Sequence, residues 1–360
     1  MRALYLPFNS VGSDSSTNVK FEAGPYLSKL LDTPSFEEDE VLIQVKACNL
    51  TMWDKSLLSF MKNIGLTELA MGQDFSGVVH QVGSAVTLWS PGEHVMGIVP
   101  IDGNRPACAE FVVVSQYDIV TKPAAVSHAH AASCLEDALR AYTALVYQAR
   151  LRPADTVFVP CGATGFGSVL VQLASHFGGK VITSAHSDDE KSYLESLKLD
   201  IVVLDCSGGT EPAKLKQMVM DETLQQGVDI IVDQANVKQP VGDSPDWEAP
   251  SSFWPMRLSS QVLAVGGRIV TQQASLQLEP AVSQRLLMKC GSLCFLLTQA
   301  WLLSSDRLGR YQHILLDVAE KLRDNVIRPN IHHTVPFSEV ASALEQLQPA
   351  LVGNIVVVMR

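Results

Sequence analysis

The chain has 360 residues, of which 47% are hydrophobic and 18% are charged, a composition typical of a globular α/β protein with room for two domains. Its formal net charge of −11 argues against a nucleic-acid-binding surface, because neutralising phosphates needs a basic face. No run of about 20 apolar residues occurs, so we expect no transmembrane segment. Seven scattered cysteines without a CxxC pair fit a reducing compartment, and we expect a cytoplasmic protein.

The first 120 residues are rich in short predicted strands. Apolar and polar residues partly alternate there, and glycine and proline separate the apolar runs. The predicted strands are residues 41–47, 75–83, 94–99 and 109–114. Short strands separated by glycine and proline indicate a small β-barrel. Residues 128–149 are alanine-rich with a helical period, so we expect helix there.

From residue 156 onward, predicted strands alternate with helix-length segments. The strand candidates are residues 156–161, 180–185, 201–205, 229–234, 268–272 and 292–297. This alternation predicts a doubly wound parallel sheet, and the fold class is therefore α/β. A last apolar strand, residues 354–359, is expected to return to the first domain, because a terminal edge strand needs a partner.

A glycine-rich turn follows the strand predicted at 156–161. The letters CGATGFG, residues 161–167, lead directly into an apolar helical segment, and this order is typical of a mononucleotide-binding βα unit. Glycines let the backbone approach a pyrophosphate, and the helix N-terminus faces its negative charge. A tight turn kept only for folding is the alternative. The candidate cofactor-binding residues are Gly162, Thr164, Gly165, Phe166 and Gly167.

Residues 236–256 are long for a connection after a core strand and combine proline, acid and tryptophan. We expect an exposed loop with apolar anchors, either a partner-binding lobe or a lid near the cofactor. A disordered insertion is the alternative.

Several blocks together resemble the medium-chain dehydrogenase/reductase superfamily and, within it, the zinc-free quinone oxidoreductase branch. The blocks are residues 45–50 (VKACNL), 72–79 (GQDFSGVV), 140–145 (RAYTAL), the glycine turn, 228–233 (VDIIVD) and 266–270 (GGRIV). The resemblance implies a GroES-like β-barrel domain, a Rossmann domain and NADPH as cofactor. It also implies a homodimer formed through the Rossmann sheets. The expected division is 1–125 GroES-like, 126–298 Rossmann, and 299–360 returning to the first domain.

Residues 96–102 and 136–145 look most like the quinone oxidoreductase-like subgroup of animals. That subgroup is known as a subunit of the Ferry complex, an early-endosomal Rab effector linked to messenger-RNA transport. The resemblance therefore implies endosomal complex subunits as partners and an association with early endosomes through them.

Zinc is not expected. The position of the first zinc ligand in the zinc-dependent branch holds Thr51, and residues 72–74 read Gly-Gln-Asp instead of Gly-His-Glu. In the zinc-free branch the protein orients NADPH and donates a hydrogen bond to the substrate oxygen. Thr51 is a candidate for that donor, and Tyr142 is a candidate to flank the nicotinamide. Strand-end packing and core packing, respectively, are the alternatives.

The cofactor-specificity residues are expected after the second Rossmann strand. Ser184, Ser187 and Lys191 are candidates to contact a 2′-phosphate, which favours NADPH over NAD, although the neighbouring acids oppose it. Alternatively, residues 188–190 form the acidic first turn of a helix. The same resemblance adds further cofactor-binding candidates, which are Thr143, Gln234, Val265 and Gly266.

Two hypotheses follow. One is a scaffold subunit of an endosomal assembly, with NADPH bound weakly or as a structural ligand. The other is a zinc-independent, NADPH-dependent reductase of quinones or enones.

Overall fold

The computed structural model describes residues 1–11, 20–23, 27–30, 32–51, 68–208, 210–233, 254–273, 276–347 and 351–359. Two β-sheets form the first domain, and their strands come mainly from the first third of the chain. They are β1 (Arg2–Val11), β2 (Lys20–Ala23), β3 (Leu27–Leu30), β4 (Glu40–Leu50), β5 (Glu68–Ala70), β6 (Asp74–Val82), β7 (His94–Ile98), β8 (Phe111–Ser115) and β9 (Ile119–Thr121).

A parallel sheet of six strands forms the second domain. The strands are β10 (Thr156–Val159), β11 (Lys180–Ala185), β12 (Ile201–Asp205), β13 (Val228–Val232), β14 (Leu263–Thr271) and β15 (Ser292–Phe295). Their order across the sheet is β12-β11-β10-β13-β14-β15, which is the 3-2-1-4-5-6 arrangement of a Rossmann domain. The predicted doubly wound fold and its six strand candidates are confirmed.

Helices cover this sheet and link it to the first domain. They are α1 (His128–Ala132), α2 (Leu135–Tyr142), α3 (Gly165–His176), α4 (Asp188–Ser196), α5 (Pro212–Glu222), α6 (Met256–Val262), α7 (Pro280–Met288), α8 (Gln299–Leu302), α9 (Leu308–Arg323) and α10 (Val340–Gln346). A π-helical stretch, Thr143–Gln148, continues α2. Helix therefore covers most of the segment predicted at 128–149.

The last two strands rejoin the first domain. Strand β17 (Asn354–Val358) pairs in parallel with β16 (Ile331–Pro336) and antiparallel with β4. The expected return of the C-terminal strand is confirmed. It places the first residue of β17, Asn354, beside the second domain.

The C-terminal part of the chain contributes side chains to two hydrophobic cores. Side chains from Leu302 to Ile327, including α9, pack in the core that contains α3 and β10. Side chains from Val335 onward pack in the barrel core with β4 and β6. Helix α9 packs both on α2 and on the barrel strand β9, so the domain boundary expected at residue 299 stays a prediction.

The central strands are apolar on both faces, as strands of a covered parallel sheet must be. Val157, Phe158 and Val159 in β10 are fully buried, as are Ile230 and Ile231 in β13. Across the described ranges, the structure contains no helix with the length and hydropathy of a membrane span.

Candidate functional site

The carboxyl ends of β10 and β13 mark the point where the strand order reverses. Strand β10 lies between β11 and β13, so the connections leaving β10 and β13 run in opposite directions and open a crevice. Doubly wound sheets bind ligands in this crevice, outside the carboxyl ends of their strands. The glycine turn follows β10 directly and therefore lies at this edge.

Backbone conformation and close packing constrain two residues of the turn. Cys161 has a φ of 60°, in the left-handed region that favours glycine. At Gly162 an added Cβ would overlap Thr183 Oγ1, the hydroxyl of a residue on β11. The turn is therefore held tightly against β11.

Helix α3 begins at Gly165 with Thr164 as its N-cap. Thr164 Oγ1 accepts a hydrogen bond of 3.0 Å from Gly167 N. The first amide groups of a helix have no partner within the helix, so α3 directs those of Gly165 and Phe166 at the crevice. The structure thus brings together the five candidates of the turn. The Thr164 cap takes up one amide that a phosphate would otherwise use.

Asn354, which was not predicted, lies against the turn from the first domain. A Cβ added at Gly165 would overlap Asn354 Oδ1. Asn354 Nδ2 donates to Ser133 O at 2.7 Å and to Asp137 Oδ2 at 2.9 Å. This contact explains why residue 165 is glycine independently of any ligand. No local pattern could reveal it, because the two residues are far apart in the chain.

Arg140 on α2 is a second unpredicted residue at the crevice. Its guanidinium stacks on the Phe166 ring, 4.5 Å from the ring centroid, and pairs with Asp137. Its NH1 group also lies 3.5 Å from Gln272 Oε1, just past the end of β14. A buried positive charge therefore stands beside the N-terminus of α3.

Two buried carboxyl groups, Glu136 and Asp137, pair with this arginine, and a third, Asp74, lies beside Glu136. Asp74, Glu136 and Asp137 are each at most 2% exposed. Asp74 Oδ1 accepts from Glu136 N at 3.0 Å, and Asp74 Oδ2 accepts from Asn49 Nδ2 at 3.3 Å. Burial raises the pKa of Asp74 well above its usual range, and the negative charges of Glu136 and Asp137 raise it further.

The end of β13 carries a buried carboxyl group as well. Asp233 is 3% exposed and accepts hydrogen bonds from Thr271 Oγ1 at 2.9 Å and Gln273 Nε2 at 2.7 Å. Burial raises the pKa of Asp233 to about 6, and the two hydrogen bonds oppose that rise. An acid ending a predicted core strand was the signal that could have identified it.

The predicted 2′-phosphate residues are engaged within the protein. Ser184 Oγ accepts from Cys161 N at 3.2 Å and lies 3.0 Å from His186 Nε2. Ser187 caps α4 by accepting from Glu190 N at 3.2 Å. Lys191 Nζ forms an ion pair of 2.8 Å with Asp205. Residues 188–190 form the acidic first turn of α4, as the alternative interpretation stated.

Tyr142 and Thr143 pack away from the turn. The Tyr142 ring lies 5.9 Å from the ring of Phe177, which caps the far end of α3 from Gly165. Burial raises the pKa of Tyr142 to about 12. Thr143 Oγ1 accepts from Trp301 Nε1 at 3.0 Å. Both residues have the contacts expected of core residues, and a role in binding or catalysis stays a prediction.

Strand polarity corrects the assignment of Val265 and Gly266. Both lie near the start of β14, whereas the glycine turn follows the end of β10. Strands β10, β13 and β14 run parallel, so the two residues are at the opposite edge of the sheet from the crevice. Val265 is 79% exposed there. We therefore leave both out of the proposed site.

Thr51 directly follows β4, on which Asn49 contacts Asp74. Its predicted role as a hydrogen-bond donor stays a prediction. Gln234 and most of the 236–256 segment lie outside the described residues. Within the described part of that segment, Trp254 is buried and its ring packs edge-on against Phe158, with the ring centroids 5.1 Å apart.

Within the described ranges, no group of three or more His, Cys, Asp or Glu side chains is arranged to hold a metal ion.

The comparison with known proteins agrees with this architecture. The family model described as the alcohol dehydrogenase GroES-like domain matches residues 37–134. Quinone oxidoreductase-like protein 1 of Mus musculus is 36% identical over 319 residues, which cover 88% of this chain and 90% of the mouse protein. The chain belongs to the medium-chain dehydrogenase/reductase superfamily. The 2-methylene-furan-3-one reductase of Solanum lycopersicum is 31% identical over 178 residues, which cover 47% of this chain and 46% of its own length.

Solved structures of other proteins match almost the whole chain. A mycobacterial protein solved in complex with NADPH has a TM-score of 0.78 at 22% identity and covers 99% of this chain and 100% of its own. A quinone oxidoreductase of Pseudomonas syringae has a TM-score of 0.76 at 19% identity, with 99% of each chain covered. At these identities the likeness shows the fold alone.

Proposed function

We propose that this protein is a zinc-independent reductase that binds a nicotinamide dinucleotide in the crevice and reduces an enone or quinone. One observation carries the proposal. The glycine turn opens α3 at the carboxyl edge of a sheet with the 3-2-1-4-5-6 strand order. The mouse relative named quinone oxidoreductase-like and the tomato reductase support the same class of reaction.

The residues at the turn fit the pyrophosphate of such a nucleotide. The amide groups of Gly165 and Phe166 form the N-terminus of α3, and the Arg140 guanidinium beside Phe166 adds a positive charge. Asn354 lies against Gly165 and limits how deeply a ligand enters. The nucleotide, when bound, supplies the hydride. Thr51, at the end of β4, is the proposed donor to the substrate oxygen.

The proposal is tested by thermal unfolding with NADH and NADPH, followed by oxidation of the nucleotide with a panel of enones and quinones. A ligand that binds only the folded state stabilises it by mass action and so raises Tm. At a ligand concentration of 100 times Kd, the free energy of unfolding increases by about 2.7 kcal/mol. We expect a rise in Tm with at least one nucleotide and turnover with at least one acceptor. No rise at millimolar concentrations of either nucleotide would contradict the proposal.

A second candidate function is a scaffold subunit, in which the fold serves an assembly such as the endosomal complex. Exposed apolar side chains on β14, α7 and β15 favour it. Val265 and Leu287 are both 79% exposed, Met288 is 76% exposed, and Phe295 on the edge strand β15 is 56% exposed. Large apolar side chains exposed to solvent are a feature of protein–protein interfaces. A binding-competent protein that turns over no acceptor, yet co-purifies with endosomal proteins from cells, would favour the scaffold.

A further inference from the structure

The end of β11 lies where a dinucleotide bound at the glycine turn places its adenosine ribose. In Rossmann domains an acid about 20 residues after the glycines accepts from the ribose hydroxyls of NAD, whereas NADP needs a cation for its 2′-phosphate. Asp188 stands 21 residues after Gly167, at the start of α4. The charges around this position therefore decide which nucleotide fits.

Carboxylates outnumber cations at this position. Asp188, Asp189 and Glu190 form the first turn of α4, and Asp205 ends β12 directly beside Ala185 of β11. Glu190 is 5% exposed, and its Oε2 accepts from His186 N at 2.7 Å, which holds the carboxyl group against the end of β11. The segment 180–208 contains no arginine.

The one lysine of α4, Lys191, forms an ion pair with Asp205. Lys191 Nζ lies 2.8 Å from Asp205 Oδ2, and this pairing, together with hydrogen bonds from Ser207, holds the pKa of Asp205 well below its usual range. A 2′-phosphate would have to compete with Asp205 for Lys191. It would also meet the charges of Asp188 and Asp189.

The neighbouring polar side chains add no positive charge. Ser184 is fully buried and accepts from Cys161 N, and Ser187 accepts from Glu190 N as the cap of α4. Burial lowers the pKa of His186, so its imidazole is uncharged at neutral pH. The three acids already complement the positive end of the α4 dipole, which leaves little attraction for a phosphate.

We infer that the protein binds NADH in preference to NADPH, because this end of the crevice accepts a ribose without a 2′-phosphate. The inference rests on the proposed nucleotide site. It departs from the sequence-based expectation of NADPH, whose three predicted phosphate ligands are engaged with other groups.

Isothermal titration calorimetry with NADH and NADPH tests the inference on the full chain. We expect NADH to bind roughly tenfold more tightly, since a phosphate dianion near several carboxylates loses about 1 kcal/mol per close pair of charges even in water. The fragments ADP and 2′,5′-ADP should show the same order of affinity. Equal binding, or tighter NADPH binding, would overturn the inference while leaving the proposed function intact. Binding of neither nucleotide would contradict both.

A variant that releases the lysine provides a second test. Asp205→Ser removes the partner of Lys191, so NADPH affinity should rise roughly fivefold while NADH affinity changes less than about twofold. Asp200→Ser, which removes an exposed carboxylate at the start of β12, is the matched control and should change neither. An NADPH affinity in Asp205→Ser equal to that of the control would contradict the role given to the Lys191–Asp205 pair.

Discussion

At the scale of single residues, Thr164 has two opposing effects on the proposed site. Its hydroxyl stabilises the start of α3 by accepting from Gly167 N at 3.0 Å. The same hydrogen bond withdraws this amide from any phosphate that approaches the turn. Thr164 therefore favours the folded protein at the expense of ligand affinity.

Replacing Thr164 with alanine should separate these two effects. We expect Thr164→Ala to destabilise the unliganded protein by about 1 kcal/mol, because an N-cap is lost. Its nucleotide-induced rise in Tm should be larger than in the wild type, because Gly167 N becomes available. Differential scanning fluorimetry with and without NADH measures both quantities.

Ser127→Ala provides the control for this variant. Ser127 caps α1 by accepting from His130 N at 3.2 Å. Its loss should lower Tm without changing the response to NADH. If Thr164→Ala and Ser127→Ala respond identically to NADH, the Gly167 amide takes no part in binding.

Gly165 and Asn354 should be energetically coupled. A methyl group at Gly165 overlaps Asn354 Oδ1, so Gly165→Ala should destabilise the protein by about 1–3 kcal/mol in the wild-type background. In an Asn354→Ala background, the same change should be at least about 0.5 kcal/mol less destabilising. Urea denaturation of the four proteins measures the coupling. Strict additivity would show that the two side chains do not meet.

The sequence predicted the residues of the turn but not their partners. Gly162, Gly165 and Gly167 form a recognisable local pattern, whereas Asn354 and Arg140 reach the turn only through tertiary folding. The sequence suggested that Ser184 and Lys191 contact a phosphate. Their partners in the structure, Cys161 N and Asp205, become their neighbours only when β10, β11 and β12 pair, so the sequence could not show them. Identity and spacing do not reveal whether a polar group is already bonded.

At the scale of elements, α9 joins the Rossmann domain to the barrel. Tyr311 on α9 is fully buried, and its hydroxyl donates to Asp118 O at 2.9 Å and accepts from Ile98 N at 3.3 Å. Burial raises the pKa of the Asp118 side chain to about 7, and the charge of Asp102 contributes to the rise. An acid whose pKa is raised to about 7 therefore lies in the turn before β9, next to α9.

This acid should make stability depend on pH. Because the pKa of Asp118 is raised on folding from 3.8 to about 7, the folded state binds more protons than the unfolded state between those values. Stability should therefore fall as pH rises from about 4 to about 7. In Asp118→Asn the fall in Tm over this range should be smaller by several degrees.

Asp200→Asn, which removes an exposed carboxylate, should retain the wild-type pH profile. Thermal unfolding at several pH values compares the three proteins. If the profile of Asp118→Asn superimposes on that of the wild type, the Asp118 carboxyl group is ionised in the folded protein at neutral pH.

The elements themselves were largely predictable. Apolar runs of strand length gave all six strands of the parallel sheet, because buried parallel strands have few polar residues to obscure them. The start of β14 was placed too late, at 268 instead of Leu263, since Gly266 and Gly267 interrupt the apolar run. Gly266 was also a candidate cofactor-binding residue, although it lies at the amino edge of the sheet.

At the scale of the whole molecule, β15 is an edge strand with an exposed apolar side chain. Phe295 lies on the outermost strand of the six-stranded sheet. Val265 on the adjacent strand β14 is also exposed, as are Leu287 and Met288 on α7. The backbone N–H and C=O groups on the outer side of an apolar edge strand can pair with a strand of another chain. The predicted homodimer would continue the sheet across two copies of β15.

Replacing Phe295 with glutamate should disrupt that dimer. We expect the wild type to sediment as a dimer and Phe295→Glu as a monomer, because a charge at the centre of the interface is left without a partner. Leu224→Glu is the matched control, since Leu224 is 82% exposed outside the sheet edge, and it should remain dimeric. A monomeric wild type would exclude the homodimer. A dimeric Phe295→Glu would place the interface elsewhere on the molecule.

We propose that the amide groups at the start of α3 hold the pyrophosphate of a nicotinamide nucleotide. A crystal structure of the protein grown with NADH is the decisive measurement. We expect pyrophosphate density within hydrogen-bonding distance of Gly165 N and Phe166 N, with the adenosine ribose beside Glu190. A crevice that contains only the Asn354 and Arg140 side chains at saturating NADH, or a nucleotide bound elsewhere, would contradict it.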